Sequence, residues 1–423
     1  MKRVKQTELG ELPEEWEVVK LGEVSNEVYR YPTYYNIKYV NKGIPEVRGK
    51  LIKENGMLES DLSKYRFISE DTNSRFPKTI LKEGDFVLSV RGTMGKVAIV
   101  PNKLEGANIT ANLIRISPVH SLIYSHFLKQ FFLSIYFKKT LNNLSPQTTI
   151  KTITAPTLKA IEIPLPPFPE QRKIASILST VDDAIQKTNE IIIKTQELKK
   201  GLMQQLLTKG IGHKKFKQTE IGEIPEEWDV VRLGNVTEKV RQVDPRKNPN
   251  KRFRYVDVSG ISNEFFKIIN FKEYVGKDAP HRARKHIKEH DIIFATVRPY
   301  LKRVAIVPTE FNNEICSTAF TIIRCVHGVV DYMFVFHYLL TDRVIGTLTE
   351  IQRGSNYPAV SDSDVHNLKL PLPPLPEQQK IASILSTVDE KIEVERNRKQ
   401  KLQELKKGLM QVLLTGKVRV KVS

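Results

Sequence analysis

The sequence contains little cysteine and no long apolar run. Cys316 and Cys325 are the only cysteines among 423 residues, and two cysteines cannot by themselves build a disulfide framework or a four-ligand zinc site. Because no apolar stretch approaches about 18 residues, the sequence predicts no membrane span. The N-terminus also lacks the apolar core of a secretion signal, so we expect a cytoplasmic protein.

Basic residues outnumber acidic residues. The chain has 67 lysines and arginines against 48 aspartates and glutamates, a formal net charge of +19. This excess predicts a polyanionic partner, either nucleic acid or an anionic membrane surface, and nucleic acid is favoured because no lipidation signal occurs. With 40% hydrophobic and 8% aromatic residues, the chain is expected to fold into two to four domains.

Motifs for catalysis are missing from the sequence. The nearest match to a phosphate-binding loop, residues 92–96, is too short and lacks the final hydroxyl residue. No Asn/Asp-Pro-Pro-Tyr/Phe motif occurs, and no glycine-rich nucleotide loop follows an N-terminal strand. Loops at residues 145–148 and 354–357 have no histidine and aspartate partners for nucleophilic chemistry. We therefore predict no catalytic residue in this chain.

The chain is an internal duplication. Residues 5–24 match residues 217–236 at 15 of 20 positions, and the pair includes both tryptophans of the protein, Trp16 and Trp228. Pro-Leu-Pro-Pro-x-Pro-Glu-Gln at 164–171 recurs at 371–378, and each copy continues into Lys-Ile-Ala-Ser-Ile-Leu-Ser-Thr-Val-Asp. The repeat of roughly 210 residues is too long for a solenoid, whose units run about 20–50 residues. It predicts two halves with pseudo-two-fold symmetry, in which the tryptophans pack the shared frame against a helix end.

Between the matched ends the two halves diverge. Residues 25–80 and 237–285 show little resemblance, whereas residues 82–101 align with 288–308. Both aligned segments read as a polar turn, a strand, a short loop and a second strand. The sequence therefore predicts a common frame that carries two different inserts.

A histidine pattern in the second half resembles a metal site. His286-Ile-Lys-Glu-His290 has the His-x-x-Glu-His form of inverted zinc proteases, but two histidines four residues apart share a metal only on a helix. The alignment of the two halves places this segment at a turn and a strand, so we predict no metal site.

Each half ends in a long predicted helix. The prolines of the two junctions exclude a helix or a central strand there. The predicted helices begin after the junctions and extend from Pro169 to Gly210 and from Pro376 to Gly416, about 60 Å each. Apolar residues at alternating spacings of four and three predict a coiled-coil seam, although a core stripe against each helix's own domain is the alternative. The seam comprises Ile174, Leu178, Val181, Ile185, Ile192, Ile381, Leu385, Val388, Ile392, Leu402 and Leu409.

Symmetry would make the two helices antiparallel. The acidic pairs 182–183 and 389–390 are interpreted as solvated charge on the helix surface. The lysine pairs 199–200 and 406–407 are either solvated or dock another subunit.

These motifs resemble the specificity subunits of type I DNA restriction–modification enzymes. The resemblance rests on Pro-Glu-Glu-Trp at 13–16 and 225–228, on the proline junctions and the helix starts after them, and on Gly-Leu-Met-Gln near the helix ends. The resemblance covers essentially the whole chain. It implies an α+β fold with two pseudo-symmetric target recognition domains joined by two long helices in an antiparallel coiled coil. The implied domains are 1–163 and 213–370, each followed by a proline junction and helix, 164–212 and 371–423.

The resemblance also implies a function and partners. Such a subunit reads a split, asymmetric sequence in double-stranded DNA, with the helices fixing the gap between the halves. It recruits two methyltransferase subunits and restriction/translocase subunits, which use S-adenosylmethionine, ATP and Mg²⁺ and act on adenines flipped from the stack. No cofactor and no membrane contact are implied for this chain itself. Two other functions remain open from the residues: a free-standing regulator of a split operator, and a scaffold that binds DNA without sequence preference.

Candidate DNA contacts concentrate in the second half. Residues 246–303 hold 15 lysines and arginines against six acids, a net charge of +9. Arg91 and Arg298 follow the aligned strands at matching positions, and arginine can pair with guanine through two hydrogen bonds. A charge at a strand end is the alternative. The remaining candidates are Arg48, Lys50, Arg66, Arg75, Arg252, Arg254, Arg282, Arg284, Lys285 and Lys302.

Overall fold

The chain forms two compact units. The structure is a computed structural model that describes residues 4–91, 94–144 and 153–421. The first unit comprises Met1–Thr188 with Arg398–Ser423, and the second comprises Asn189–Asn397. Each unit therefore contains one copy of the repeat together with parts of both long helices. The domain boundaries expected from the sequence, 1–163, 164–212, 213–370 and 371–423, stay a prediction.

The first unit is built from short strands and four short helices, followed by one long helix. Its strands are β1 Val4–Thr7, β2 Gly10–Pro13, β3 Glu17–Lys20, β4 Ser25–Tyr29, β5 Tyr39–Val40, β6 Ile44–Val47, β7 Arg66–Ile68, β8 Phe86–Ser89, β9 Val97–Ile99, β10 Asn108–Ile109, β11 Leu113–Pro118 and β12 Glu162–Leu165. Its helices are α1 Glu70–Ser74, α2 Ser125–Leu133, α3 Ile135–Leu144, α4 Ala155–Lys159 and the long α5 Phe168–Lys209, which continues into the second unit.

The second unit repeats this order of elements outside its insert, and among its described residues no α-helix corresponds to α1. Its strands are β13 Phe216–Thr219, β14 Gly222–Pro225, β15 Asp229–Arg232, β16 Thr237–Glu238, β17 Arg252–Val256, β18 Lys272–Val275, β19 Ala283–His286, β20 Ile292–Ala295, β21 Val304–Ile306, β22 Ile315–Ser317, β23 Phe320–Cys325 and β24 Lys369–Leu372. Its helices are α6 Tyr332–Leu339, α7 Asp342–Ile351, α8 Asp362–His366 and the long α9 Leu375–Leu413, whose end belongs to the first unit.

One four-stranded antiparallel sheet has the same topology in both units. Its order is β4-β11-β8-β9 in the first unit and β16-β23-β20-β21 in the second. The strand pairs β8–β9 and β20–β21 are the segments that the sequence aligned, which confirms the predicted turn, strand, loop and strand. Apolar side chains alternate between the two faces of these strands and contribute to separate clusters on either side.

The inserts share more structure than their sequences suggest. In each unit two insert strands join a strand that follows the aligned segment and form a second sheet, β10-β6-β7 or β22-β17-β18. In both sheets a parallel pair comes first and an antiparallel pair next. The fourth strand differs, since β5 adds beside β7 in the first unit and β19 adds beside β22 in the second. The two inserts are therefore variants of one sheet with different edges.

The proline junctions position the long helices. Each junction ends in a strand, β12 or β24, that pairs antiparallel with β3 or β15 of the repeated N-terminal segment. The helix that follows begins within one residue of the predicted start, and α5 ends at the residue before Gly210. Gly210 has a φ of +65°, so its backbone conformation ends the helix at low cost.

The predicted helix seam is buried over most of its length, and Ile174, Leu178, Ile381 and Leu385 pack into the hydrophobic cores of their own units, as the alternative expected. Within each unit the two helix segments run antiparallel. In the first unit Glu170 contacts Arg419 and Asp182 contacts Lys406. In the second unit Lys199 contacts Asp389 and Ile211 contacts Glu377. Seam residues with less than a tenth of their surface exposed are Ile174, Leu178, Val181, Ile192, Ile381, Leu385 and Ile392. Ile185, Val388, Leu402 and Leu409 are half-buried.

Candidate nucleic-acid interface

A buried ion pair anchors the aligned strands in each unit. Asp85 follows a turn, accepts a hydrogen bond from the backbone N–H of Lys82, and pairs with Arg115 of β11 at 2.6 Å. In the second unit Asp291 pairs with Arg324 of β23 at 2.7 Å. Both aspartates are 1% exposed. Because a buried carboxylate requires a charged partner, these pairs fix the strands that lead to Arg91 and Arg298.

Arg298 is held in an unusual conformation. Its φ of +51° lies in the left-handed region, which is uncommon for residues other than glycine. Its backbone N–H donates to the Pro358 carbonyl at 2.7 Å, and its Nη2 donates to the Asn356 carbonyl at 3.2 Å. The guanidinium carbon lies 5.2 Å from the ring centre of Tyr357. The side chain is half-buried and oriented by the loop that contains these three residues.

Arg91 is exposed and lies near a second arginine. Burial, followed by the charge of Arg91, lowers the pKa of Arg30 from its usual value. Arg30 Nη1 donates to the Ala111 carbonyl at 2.9 Å, which holds this guanidinium beside the strand end. Within the described ranges no carboxylate forms an ion pair with either arginine, and neighbouring cations of this kind attract an anion such as phosphate. Arg30 was not among the residues predicted from the sequence. It follows β4 directly and lies next to Tyr29 and Tyr31 in the chain, and this combination of a cation with aromatic residues was the signal that could have identified it.

Aromatic rings accompany these cations in the first unit. Tyr31 packs edge to face against Tyr29 at 5.1 Å and against Tyr34 at 5.6 Å, and it also contacts Phe76. Lys78 Nζ lies 4.8 Å from the ring centre of Tyr29. Cations interleaved with aromatic rings are typical of surfaces that bind nucleic acid.

The other candidates of the first unit differ in exposure. Lys50 is exposed, and Arg66 is exposed with its guanidinium 5.4 Å from the Tyr39 ring centre. Arg75 is exposed but forms an ion pair with Asp71 at 3.3 Å. The side chain of Arg48 is only 16% exposed and donates to the Lys64 carbonyl. Lys50 and Arg66 are therefore the more accessible of these four.

The candidates of the second unit divide in the same way. Arg252 and Arg282 are exposed. Arg254 lies against the rings of Phe271 and Phe311, at 5.2 and 5.7 Å, and donates to the Glu310 carbonyl. Arg284 is paired with Asp244 at 2.5 Å, and this pairing lowers the pKa of that aspartate.

Two lysines among the candidate DNA contacts are already paired with carboxylates. Lys285 is 7% exposed, and its Nζ donates to the Phe320 carbonyl at 2.6 Å and to Asp362. Lys302 is half-buried and pairs with Asp342 at 2.9 Å. The sequence could not distinguish these lysines from surface cations, because the carboxylates that neutralise them are about 77 and 40 residues away in the chain.

The histidine pattern has no metal-binding geometry. His286 ends strand β19, and His290 lies in a turn with φ of +67°, stacked on the Tyr332 ring at 4.5 Å. In the described part of the chain, no cluster of three or more histidine, cysteine or acidic residues could hold a metal. Burial raises the pKa of both cysteine thiols, that of Cys325 to about 12, so neither thiol ionises readily. The predicted loop at 145–148 lies outside the described residues.

The tryptophans pack against the helix starts, as predicted. Trp16 and Trp228 are fully buried, and each Nε1 donates at 3.0 Å to a glutamate of the proline junction, Glu170 or Glu377. The following glutamine, Gln171 or Gln378, accepts from the backbone before α2 or α6 and donates to two carbonyls. These contacts explain why Pro-Glu-Gln and Trp recur together.

The interpretation of the helix aspartates as solvated charge was wrong for two of them. Asp182 accepts from Gln130 Nε2 at 2.8 Å and pairs with Lys406 at 2.6 Å. Asp389 pairs with Lys199 at 2.6 Å. Lys199 and Lys406 are therefore engaged within their own units. Sequence spacing along one helix does not show which charge faces it from another element.

The chain belongs to the family of type I restriction modification DNA specificity domains. That family matches twice, at residues 13–197 and 225–404, so both copies of the repeat are specificity domains. The chain is thus a specificity subunit of the type I restriction–modification class. No helix in the described ranges is long and apolar enough to cross a membrane.

Individual relatives support this assignment along the whole chain. A Methanocaldococcus jannaschii protein assigned as the type I restriction enzyme MjaX specificity subunit is 34% identical, and the match covers 99% of this chain and 97% of the relative. The MjaVIII specificity subunit of the same organism is 30% identical over 97% of this chain and 94% of its own length. The fold resembles the crystal structure of the S subunit of M. genitalium, with a TM-score of 0.58, 15% identity, and coverage of 94% of this chain and 96% of that one.

Proposed function

We propose that this subunit reads a two-part DNA target, with one part bound by each unit. The observation that carries the proposal is the matched pair of strand ends at Arg91 and Arg298, fixed by equivalent buried ion pairs. The second sheets of the two units differ in their edge strands. A shared frame with different edges suits two readers that bind different sequences in one orientation.

Cations that are at least partly exposed supply the contacts with DNA in this proposal. Arg91 and Arg298 read bases, because arginine offers two parallel donors to guanine. The exposed Lys50, Arg66, Arg75, Arg252 and Arg282 bind phosphates. Arg48, Arg254 and Arg284 orient neighbouring groups, because each is already held by a carbonyl or a carboxylate. Lys285 and Lys302 stabilise the second unit from within.

The subunit itself performs no catalysis in this proposal. Methyltransferase subunits bound to it would use S-adenosylmethionine to modify adenines, and restriction subunits would use ATP and Mg²⁺. Two methyltransferase subunits match the two copies of the repeat, since each unit presents an equivalent helix surface. The complex works in the cytoplasm, where the DNA is.

Modified-base sequencing of the source genome tests this function. Deleting the gene should abolish adenine methylation at one split, asymmetric motif, and restoring it should restore that methylation. If a complex of this chain with a methyltransferase is present and the methylation pattern does not depend on this gene, the proposal is wrong.

Exchange of inserts tests the assignment of one half-site to each unit. Replacing residues 25–160 with those of another family member should change one half of the motif and leave the other half intact. The matched exchange of residues 237–367 should change only the second half. Binding that depends steeply on salt but on no sequence would instead favour a scaffold, and tight specific binding without any methyltransferase would favour a regulator.

A further inference from the structure

A loop of the second unit is fastened to the strand end that carries Arg298. The loop comprises residues 353–359. Its last residue, Ala359, forms isolated antiparallel β-bridges with Val297 and with Arg353. The next residue, Val360, donates to the Thr296 carbonyl at 3.0 Å. Backbone contacts on both sides of the strand end therefore set the position of this loop.

Tyr357 at the tip of this loop is strongly exposed. Its exposed fraction is 74%, the largest among the exposed large apolar and aromatic side chains of the described residues. A single exposed ring is ordinary on a surface, but this ring has a guanidinium stacked on it at 5.2 Å. This contact places a cation and an aromatic ring together at the surface of a unit that belongs to a DNA specificity domain.

The backbone at Arg298 is strained at the same place. Arg298 and Lys302 flank a short turn with left-handed φ values of +51° and +50°. Such conformations persist only where surrounding contacts enforce them, and they cluster at functional sites. Here the Arg298 N–H donates to the Pro358 carbonyl. This hydrogen bond holds the arginine against the loop in its left-handed conformation.

The neighbouring cations are engaged elsewhere. Lys302 pairs with Asp342, Arg303 donates to the carbonyls of Val258 and Ile261, and Arg353 lies 3.8 Å from Asp364. Among the described residues, no carboxylate forms an ion pair with Arg298. Its one side-chain hydrogen bond in this set, from Nη2 to the Asn356 carbonyl, leaves most of its five donors for a ligand.

We propose that Arg298 and Tyr357 together read one guanine in the half-site of the second unit. Arg298 donates two hydrogen bonds to the guanine O6 and N7 atoms in the major groove. Tyr357 is a positioning residue, because its ring holds the plane of the guanidinium. This inference rests on the proposed function, which assigns one half-site to each unit.

Four substitutions separate the roles of the two side chains. Arg298→Ala removes the donors, and Arg298→Lys keeps the charge without the planar pair of donors. Tyr357→Ala removes the platform, whereas Tyr357→Phe keeps the ring. Arg353→Ala serves as the matched control, because it removes one positive charge from the same loop.

Modified-base sequencing of cells that carry each variant in place of the wild type gives the first readout. Arg298→Ala and Arg298→Lys should relax one position of one half-site from guanine to any base. Tyr357→Ala should relax the same position to a smaller degree, while Tyr357→Phe and Arg353→Ala should keep the wild-type motif. If Arg298→Ala retains guanine at every position, the inference is wrong.

Binding measurements on the complex with its methyltransferase give the second readout. With duplexes that differ at the relaxed position, the wild type should prefer guanine roughly 5- to 150-fold, and Arg298→Ala should lose this preference. A uniform loss of affinity for all duplexes, with a shallower salt dependence, would make Arg298 a phosphate contact and overturn the proposal.

The two experiments distinguish a failure of this inference from a failure of the proposed function. If the wild type directs no two-part motif, the proposed function fails and the inference with it. If the wild-type motif is present and the Arg298 variants keep it, only the inference fails. Methylation that still depends on the unchanged half-site shows that each variant is folded.

Discussion

Asp182 of the first unit and Asp389 of the second occupy equivalent positions on the long helices, but different groups surround them. In the first unit Asp182 accepts a hydrogen bond from the amide of Gln130. In the second unit the equivalent of Gln130 is His337, which is fully buried, with Nδ1 3.9 Å from Asp389. The lysine that neutralises each aspartate is retained, as Lys406 and Lys199. The frame therefore tolerates either an amide or an imidazole, but only the imidazole can titrate.

A second difference of the same kind lies at the helix starts. Glu170 of the first unit is paired with Arg419, from the segment after α9, at 2.8 Å. Glu377 of the second unit is instead paired with His213, from the segment after α5, at 2.9 Å. Duplication thus preserved the buried carboxylates and changed the groups that neutralise them. The second unit uses histidine at both places, and burial of His337 should make this unit respond more strongly to acid.

The two tryptophans allow each unit to be followed separately. Trp16 lies in the first unit and Trp228 in the second, and no other tryptophan occurs. Chains with Trp228→Phe or Trp16→Phe therefore report the unfolding of one unit by fluorescence. The variants of one unit are compared in the chain that keeps only the tryptophan of that unit.

The largest effect is expected when the buried ion pairs are broken. Asp85→Ala should lower the free energy of unfolding of the first unit by about 3–5 kcal/mol, because Arg115 would remain buried without a countercharge. Asp291→Ala should cost the second unit less, since the Arg324 side chain is 16% exposed against 9% for Arg115. Denaturant unfolding measures both losses.

A double variant controls for the removal of charge. Asp85→Ala combined with Arg115→Met removes both charges and should recover much of the stability. If the double variant were as unstable as Asp85→Ala alone, the uncompensated charge would not be the cause of the loss.

The next largest effect is expected when the partners of Glu170 and Glu377 are removed. These partners are Arg419 in the first unit and His213 in the second. Arg419→Ala should destabilise the first unit by about 1.5–3 kcal/mol, because Glu170 is almost fully buried and loses a charged donor. Glu170 also raises the pKa of Arg419, which reflects the same attraction. His213→Ala should cost less, since Glu377 keeps hydrogen bonds from Trp228 and from the Ile211 N–H.

The control for Arg419 is its exposed second partner. Glu15 is 70% exposed, so Glu15→Gln should change the unfolding free energy by less than about 1 kcal/mol. Equal losses for Glu15→Gln and Arg419→Ala would show that the pair with Glu170 is not the one that matters.

The third effect is a loss of stability in acid that is confined to the second unit. Burial, with a smaller contribution from Lys199, lowers the pKa of His337 to about 3, although Asp389 lies nearby. Because the pKa of His337 is lower in the folded chain than in the unfolded chain, its contribution is complete above about pH 6.5 and declines as the pH falls towards 3. Lowering the pH from 7 to 5 should therefore cost about 2 kcal/mol.

The first unit supplies the control for this effect. His337→Gln copies the residue that stands at the equivalent position, Gln130, and should remove most of the extra acid sensitivity of the second unit. Unfolding curves at pH 7 and pH 5, followed through Trp228, measure this. An unchanged pH dependence in His337→Gln would show that His337 is not the source of the acid sensitivity.

The smallest effect concerns a contact between the second insert and the helix. Lys267 pairs with Glu393 of α9 at 2.6 Å, but both side chains are about half exposed. Lys267→Ala should lower the free energy of unfolding by only about 0.2–1 kcal/mol, and less at high salt. A loss above 2 kcal/mol would show that this pair docks the insert on the helix.

Several features could be predicted from the sequence because their signals are local or repeated. Proline fixed the helix starts near Pro169 and Pro376, and the spacing of apolar residues identified seam positions such as Ile174 and Ile381. Matching segments in the two halves identified the aligned strands before Arg91 and Arg298. Each of these signals lies within a short stretch of chain, where backbone restriction and periodicity act directly.

Other features depended on partners far away in the chain. The sequences of the two inserts hid their common three-stranded order, because strand pairing is decided between segments distant in sequence and many side chains satisfy it. Asp182 was interpreted as solvated because its partners, Gln130 and Lys406, lie on other elements.

The sequence by itself therefore determined the duplication, the long helices and the class of protein, since repeated motifs and helical periodicity are written along the chain. Only the tertiary structure decided which cations are paired with a carboxylate of their own unit and which are not, because these partners lie far apart in the chain. Lys285 and Arg298 illustrate the distinction, because both are cations of one basic stretch. A carboxylate about 77 residues away neutralises Lys285, whereas a loop of the same unit holds Arg298 against an exposed ring.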